Sequence, residues 1–185
     1  MAITNIPHIL WGDGDDNMGG IRTIVYWALH SDFTAHPTPD APTRPDAINV
    51  ADLVTISNAP TFKSGKGWKK LYTTEDSSGF TSGQQGEKDG KSFMNSVKLF
   101  HPGANANALG LIAYINNAGA YFAPATAEGQ RHLIGSEHYP AKVNTLTITT
   151  TETAAGRKGT TFEAGSSSTR PAPICNFPFT EEAES

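Results

Sequence analysis

The chain has 185 residues and carries 14 basic against 18 acidic side chains, a net charge of −4. That balance argues against a surface built to neutralise nucleic-acid phosphates. Charged residues make up only 17%, while 18 glycines, 12 prolines and 21 threonines favour strands, turns and long loops over helices. Length allows one domain burying roughly 70% of its unfolded surface, so no metal or disulfide staple is required. The single cysteine, Cys175, excludes an internal disulfide.

Residues 1–20 hold four glycines and a run of acids without apolar periodicity, and read as an N-terminal arm. They lack the basic start and apolar run of a signal peptide, and no stretch along the chain is apolar enough for a membrane span. Within the arm, Asp13, Asp15 and Asn17 have the alternate spacing of a calcium loop. Met18 and Ile24 stand where that loop needs Gly and Glu, so a solvated acidic turn is expected.

Residues 21–28 (IRTIVYWA) are dense in β-branched and aromatic side chains and predict a strand covered on both faces. Residues 31–48 carry four prolines and predict a surface loop or an arm laid over a neighbour. Residues 49–57 (NVADLVTIS) predict a strand. A basic cluster follows, Lys63, Lys66, Lys69 and Lys70 around Trp68. Basic residues beside an aromatic can pair phosphates and stack bases. In a net-acidic chain, a solvated face or a salt-bridged subunit contact is the stronger reading.

Residues 73–90 contain four glycines, the acids Glu75, Asp76, Glu87 and Asp89, and few apolar side chains. They predict a long Gly-rich hairpin or mobile loop, with the part from 79 to 90 ordered only on assembly. Residues 91–100 alternate, placing Phe93, Asn95, Val97 and Leu99 on one side of a strand. After the His101-Pro102-Gly103 break, residues 104–116 predict the one helix. Its face of Ala108, Leu111, Ile112 and Ile115 is expected to dock on a sheet, with Leu111 and Ile112 as main anchors.

Four further strands are expected at 120–125, 131–134, 142–153 and 160–165. In the third, the face of Asn144, Leu146 and Ile148 is the natural core face. Residues 172–179 suggest an edge segment broken by Pro173 and Pro178, and residues 180–185 an acidic tail.

Signals for chemistry are weak. Ser64-Gly65-Lys66-Gly67 departs from a phosphate loop at both flanks, no zinc spacing or HExxH involves the six histidines, and no GxSxG elbow occurs. Cys175 has no neighbouring His in sequence and reads as a buried or edge thiol. Neither catalytic, cofactor nor metal residues are expected.

The order of strand, Gly-rich hairpin, alternating strand, helix and closing strands resembles the tail tube proteins of tailed phages and contractile injection machines. The resemblance rests on residues 86–103 (GEKDGKSFMNSVKLFHPG), the helix after them, 131–142 (RHLIGSEHYPAK) and 156–173 (GRKGTTFEAGSSSTRPAP). It implies a mainly β fold, a sandwich or partly closed barrel with one flanking helix, assembled with itself as stacked hexameric rings. Its partners would be further copies, other virion tail proteins, and DNA passing without specific binding. It further implies a structural rather than enzymatic role, in a virion tail made in the host cytoplasm. Glu75, Asp76, Glu87 and Asp89 are then expected toward the lumen, and the lysine cluster on subunit contacts or the outer wall. The alternatives are a capsid decoration or head–tail connector protein, or a small carbohydrate-binding β-domain with a cleft lined by Trp27, Trp68, Tyr121 and Tyr139.

Overall fold

A computed structural model of the chain describes residues 7, 9, 17–150, 152 and 155–183. In chain order its elements are β1 (Ile24–Leu29), β2 (Phe33–Ala35), β3 (Thr55–Ile56), β4 (Thr61–Phe62), β5 (Lys69–Tyr72), β6 (Gly79–Gln85) and β7 (Ser92–Pro102), followed by α1 (Ala106–Ile115). Then come β8 (Ala120–Ala123), β9 (Arg131–His132), β10 (Lys142–Thr150), β11 (Lys158–Ser168) and β12 (Ile174–Cys175). The fold is mainly β with one α-helix among the described residues, as composition predicts. Its sheets face one another in a sandwich-like stack. None closes into a barrel, which removes that alternative.

Two sheets dominate, one ordered β5-β1-β8 and the other β10-β11-β7-β6. Alternation along β1 explains their relation. Val25 and Trp27 point into a core shared with Val97, Leu99, Phe162 and Ala164 of the larger sheet. Tyr26 and Ala28 point the other way, into a second core with Tyr121, Trp68, Phe33, Ile56 and Leu133. The expectation that this strand is covered on both faces therefore holds, and β5-β1-β8 forms the middle layer. Beyond it lie two small sheets, β3-β12-β9 and β2-β4.

Helix α1 closes one end of the first core. Gly103 at φ +89° turns the chain out of β7, and the Asn105 side chain caps the helix by accepting from the Ala108 amide at 2.8 Å. Ile112 and Ile115 are buried, while Leu111 is half-buried against the same core. The helical face is the expected one: of its three anchors Ile112 and Ile115 are the more buried, and Leu111 packs beside them.

Several expectations need correction. Residues 49–57 are mostly a 3-10 turn, Val50–Leu53, with a strand only at Thr55–Ile56. Asp52 accepts from the Asn49 amide at 2.8 Å and the Ile48 amide at 3.2 Å, and this local capping outweighs the strand pattern. The Pro-rich loop docks on its own chain, with Pro37, Ala41 and Ala47 buried. Arg170 pins it by donating to the carbonyls of Ala41 (3.1 Å), Pro42 (2.6 Å) and Leu53 (2.6 Å).

Of the two readings of residues 73–90 the hairpin holds and the mobile loop does not, because β6 pairs residue by residue with β7, from Gly79 opposite Lys98 to Gln85 opposite Ser92. Only the turn at its tip remains Gly-rich, with Gly86 at φ +99°. The C-terminal segment also departs from an edge reading, since β12 lies between β3 and β9.

Candidate assembly surface

The larger sheet has two unlike faces. Asn95, Val97, Leu99, Phe162 and Ala164 are buried toward the core. Their neighbours Ser96, Lys98, Thr161 and Glu163, with Thr81 of β6 and Thr145 and Thr147 of β10, share the opposite face by register. Hydroxyls thus dominate it. Lys98 and Glu163 are register partners, so the charge there is balanced. A cavity of about 600 Å³ lies over this face, lined by Thr81, Ser96, Lys98, Thr161 and Glu163 and walled at one end by Asp76, Ser77 and Arg157. Arg157 lies over the Phe100 ring at 4.3 Å and donates to the Ser77 hydroxyl, which covers the one large apolar side chain at that end.

Both outer strands of this sheet, β10 and β6, have an edge without a ladder partner among the described residues. Every pairing in the sheet is antiparallel, and the strands number four. The two edges therefore run in opposite directions, so β6 of one copy can meet β10 of the next in a continued antiparallel ladder.

On β10, Leu146 and Ile148 face the core side, as expected from alternation, directly across from Phe162 and Thr160. The core does not reach them. Leu146 is 42% and Ile148 51% exposed, whereas Phe162 is 1% exposed. Strand β10 overhangs the sandwich, so Leu146 and Ile148 are oriented as predicted but uncovered, while the bulge between Val143 and Thr145 leaves Asn144 exposed and packs Val143, predicted on the other face, against the core.

The smaller sheet, in contrast, has both edges occupied by its own chain. At β8, Ala120 donates to Ala141 at 2.9 Å and Phe122 to Ile134 at 3.0 Å. At β5 the C-terminal segment lies alongside, with Trp68 donating to the Thr180 carbonyl at 2.9 Å and Glu182 to the Trp68 carbonyl at 3.0 Å. Lys70 pairs with Glu181 at 2.7 Å, Lys69 with Glu182 at 2.5 Å, and the Tyr26 hydroxyl donates to Glu181 at 2.7 Å. Hydrogen bonds from Lys70 and Tyr26 hold the Glu181 carboxyl below its ordinary range, and the bond from Lys69 does so for Glu182. Gly67 makes the close approach possible, since a Cβ there would sit 2.6 Å from the Glu182 nitrogen.

The expected site residues fall accordingly. Lys69 and Lys70 are engaged inside the chain, Lys63 donates to the Ser31 carbonyl at 2.6 Å, and Lys66 stands exposed on the turn. The cluster is thus largely an internal clamp on residues 181 and 182, and that part of the tail is docked. Glu75, Asp76, Glu87 and Asp89 are all exposed but do not gather. Two precede β6 and two follow it, separated by roughly 20 Å of strand. Sequence reasoning missed the clamp, although adjacent Lys69-Lys70 and Glu181-Glu182 form a complementary pair of dyads. It missed the overhang as well.

For the alternative chemistries, Trp27, Trp68 and Tyr121 are buried in the two cores and only Tyr139 is exposed, so the aromatic cleft of a carbohydrate binder is not formed by these four. Burial pushes the Cys175 thiol up to about 12 despite nearby Arg131. Among the described residues no group of three His, Cys, Asp or Glu is placed to hold a metal. Asp13 and Asp15 lie outside the described residues. No described helix is long and apolar enough to cross a membrane. Comparison with protein-family models, with curated proteins and with solved structures finds no match for the chain.

Proposed function

We propose that this chain is a structural subunit of a phage tail tube, joining copies of itself through the β6 and β10 edges into closed rings that stack around a DNA-conducting channel. One observation carries the reading: a four-stranded antiparallel sheet with two open edges and an uncovered apolar pair, Leu146 and Ile148, beside one of them. A free edge of this length is an aggregation hazard in a lone subunit, and ring closure removes it. The rest of the chain supports the contrast, because the smaller sheet's edges are already covered internally.

In this reading the hydroxyl-rich face of the larger sheet lines the channel. Balanced charge at Lys98 and Glu163 does not grip phosphates, so DNA passes without counterion release. Glu75 and Asp76 at one end of β6, and Glu87 and Asp89 at the other, then place acidic rims above and below the wall. The role is structural, without catalysis or a cofactor, and the protein belongs to the virion tail.

Electron microscopy of the purified protein tests the proposal. Rings that stack into hollow tubes support it; a monodisperse monomer at all concentrations overturns it. A head–tail connector or capsid decoration protein is the reading that two-fold pairs, or single rings that never stack, would favour.

A further inference from the structure

His30, His36 and Tyr121 form a stack of three rings contributed by distant segments. The His30 and His36 centroids are 4.3 Å apart, and those of His30 and Tyr121 are 5.8 Å apart. The Tyr121 oxygen is 3.0 Å from His36 Nδ1. Burial holds the Tyr121 phenol far above its ordinary range, so the hydroxyl stays protonated and can either donate to Nδ1 or accept from it. Nε2 of His30 lies 2.8 Å from the Glu137 carbonyl and donates to it.

These contacts join two walls of a cavity of about 570 Å³. One wall is the Pro-rich loop, which begins with Pro37 immediately after His36. The other is the turn holding Glu137 and His138, with Leu133 and Pro173 below. His36 is thus attached to the first wall and His30 holds the second.

We propose that this ring stack is a proton-operated latch that keeps the Pro-rich loop and the 135–140 turn closed over the cavity near neutral pH and releases them on acidification. A charged His36 ring would sit in a stack partly shielded from water, with its centroid 4.3 Å from that of His30.

The groups facing His36 act in both directions. Loss of water at the ring, His30 and His138 oppose its protonation, while Glu137 favours it. Tyr121 contributes its hydroxyl and Phe33 a neutral ring at 5.5 Å. Asp32, in the same turn as His30, is engaged with Lys69 at 3.6 Å. The balance holds His36 below its ordinary value. The open state, in which water returns to the ring, therefore binds more protons, and falling pH shifts the equilibrium toward it below about 6.5. The latch lies apart from the β6 and β10 edges and does not depend on the tube reading.

Hydrogen exchange of the full chain at about pH 7.5 and about pH 5.5, corrected for intrinsic rates, tests it. Protection in residues 36–43 and 135–140 should fall severalfold, up to the roughly tenfold limit that single-proton linkage allows over this range, while residues 97–100 stay unchanged. His36→Phe, which keeps a stacking ring without a proton site, should abolish the pH dependence. Unchanged protection in the native chain, or the same pH-dependent loss in His36→Phe, overturns the latch. Should that variant fail to fold, imidazole titration by NMR in the native chain decides. A His36 midpoint below about 6.5 that coincides with amide shifts in residues 135–140 supports it. A midpoint at or above that value, or one without those shifts, overturns it.

Discussion

Leu146 and Phe162 are direct cross-strand partners on one face of the β10-β11 ladder, yet Phe162 is sealed in the core and Leu146 is 42% exposed. The contrast separates folding from assembly. Phe162→Ala should destabilise the subunit by about 3–5 kcal/mol, as for a large core truncation. The double variant Leu146→Lys with Ile148→Lys should change stability by no more than about 0.5 kcal/mol while blocking association. Denaturant melts and sedimentation of both proteins check this, and a double variant that still forms rings would reject the edge assignment.

On the helix, Ile112→Ala and Ile115→Ala should each cost about 2–5 kcal/mol. Leu111→Ala, at a half-buried position, should cost less than either. Urea midpoints for the three variants give the order directly. Equal losses would mean that Leu111 is as well packed as the two isoleucines.

Arg170 offers a separate test, because its guanidinium serves three carbonyls of the Pro-rich loop and the turn after it. Arg170→Ala should cost about 1–3 kcal/mol through carbonyls left unpaired. Arg170→Lys should recover little, since one ammonium cannot reproduce the planar fork. Proteolysis within residues 36–43 should accelerate in both variants, and a Lys variant indistinguishable from the native chain would contradict the fork argument.

The tail clamp has a defined acid limit. Glu181 and Glu182 are held below their ordinary range in the docked state, so docking is fully supported above about pH 4.3 and is lost as pH falls through the depressed values. Amide exchange at Trp68 and Glu182 should therefore accelerate only in that acidic window. Gly67→Ala should release the same amides at neutral pH, because its Cβ would meet the Glu182 backbone.

Local pattern made much of this architecture legible. Alternation in β1 and β7 gave the two-sided burial of Val25 and Tyr26 and the inward row of Asn95, Val97 and Leu99, because strand periodicity follows from the chain itself. The 3.6 spacing likewise located α1. What alternation does not contain is where a core stops, so Leu146 and Ile148 had the right direction and the wrong burial. Residues 49–57 misled because Asp52 bonds its own turn, a side-chain effect that an apolar count ignores. Pairings across the whole chain, such as Lys69 with Glu182 and Arg170 with Leu53, have no local signature at all.

A ladder of four has a further property. Because the number is even, a copy added at β6 arrives in the same orientation as the one before it, whereas a sheet of three or five would oblige its neighbour to turn over or to pair in parallel. In the proposed ring, strand parity would therefore keep every subunit pointing the same way. Rings built this way have two chemically different rims, one bearing Glu75 and Asp76 and the other Glu87 and Asp89. A stack of them would carry an arrow along its axis, with a distinct surface at each end for whatever begins the column and whatever terminates it.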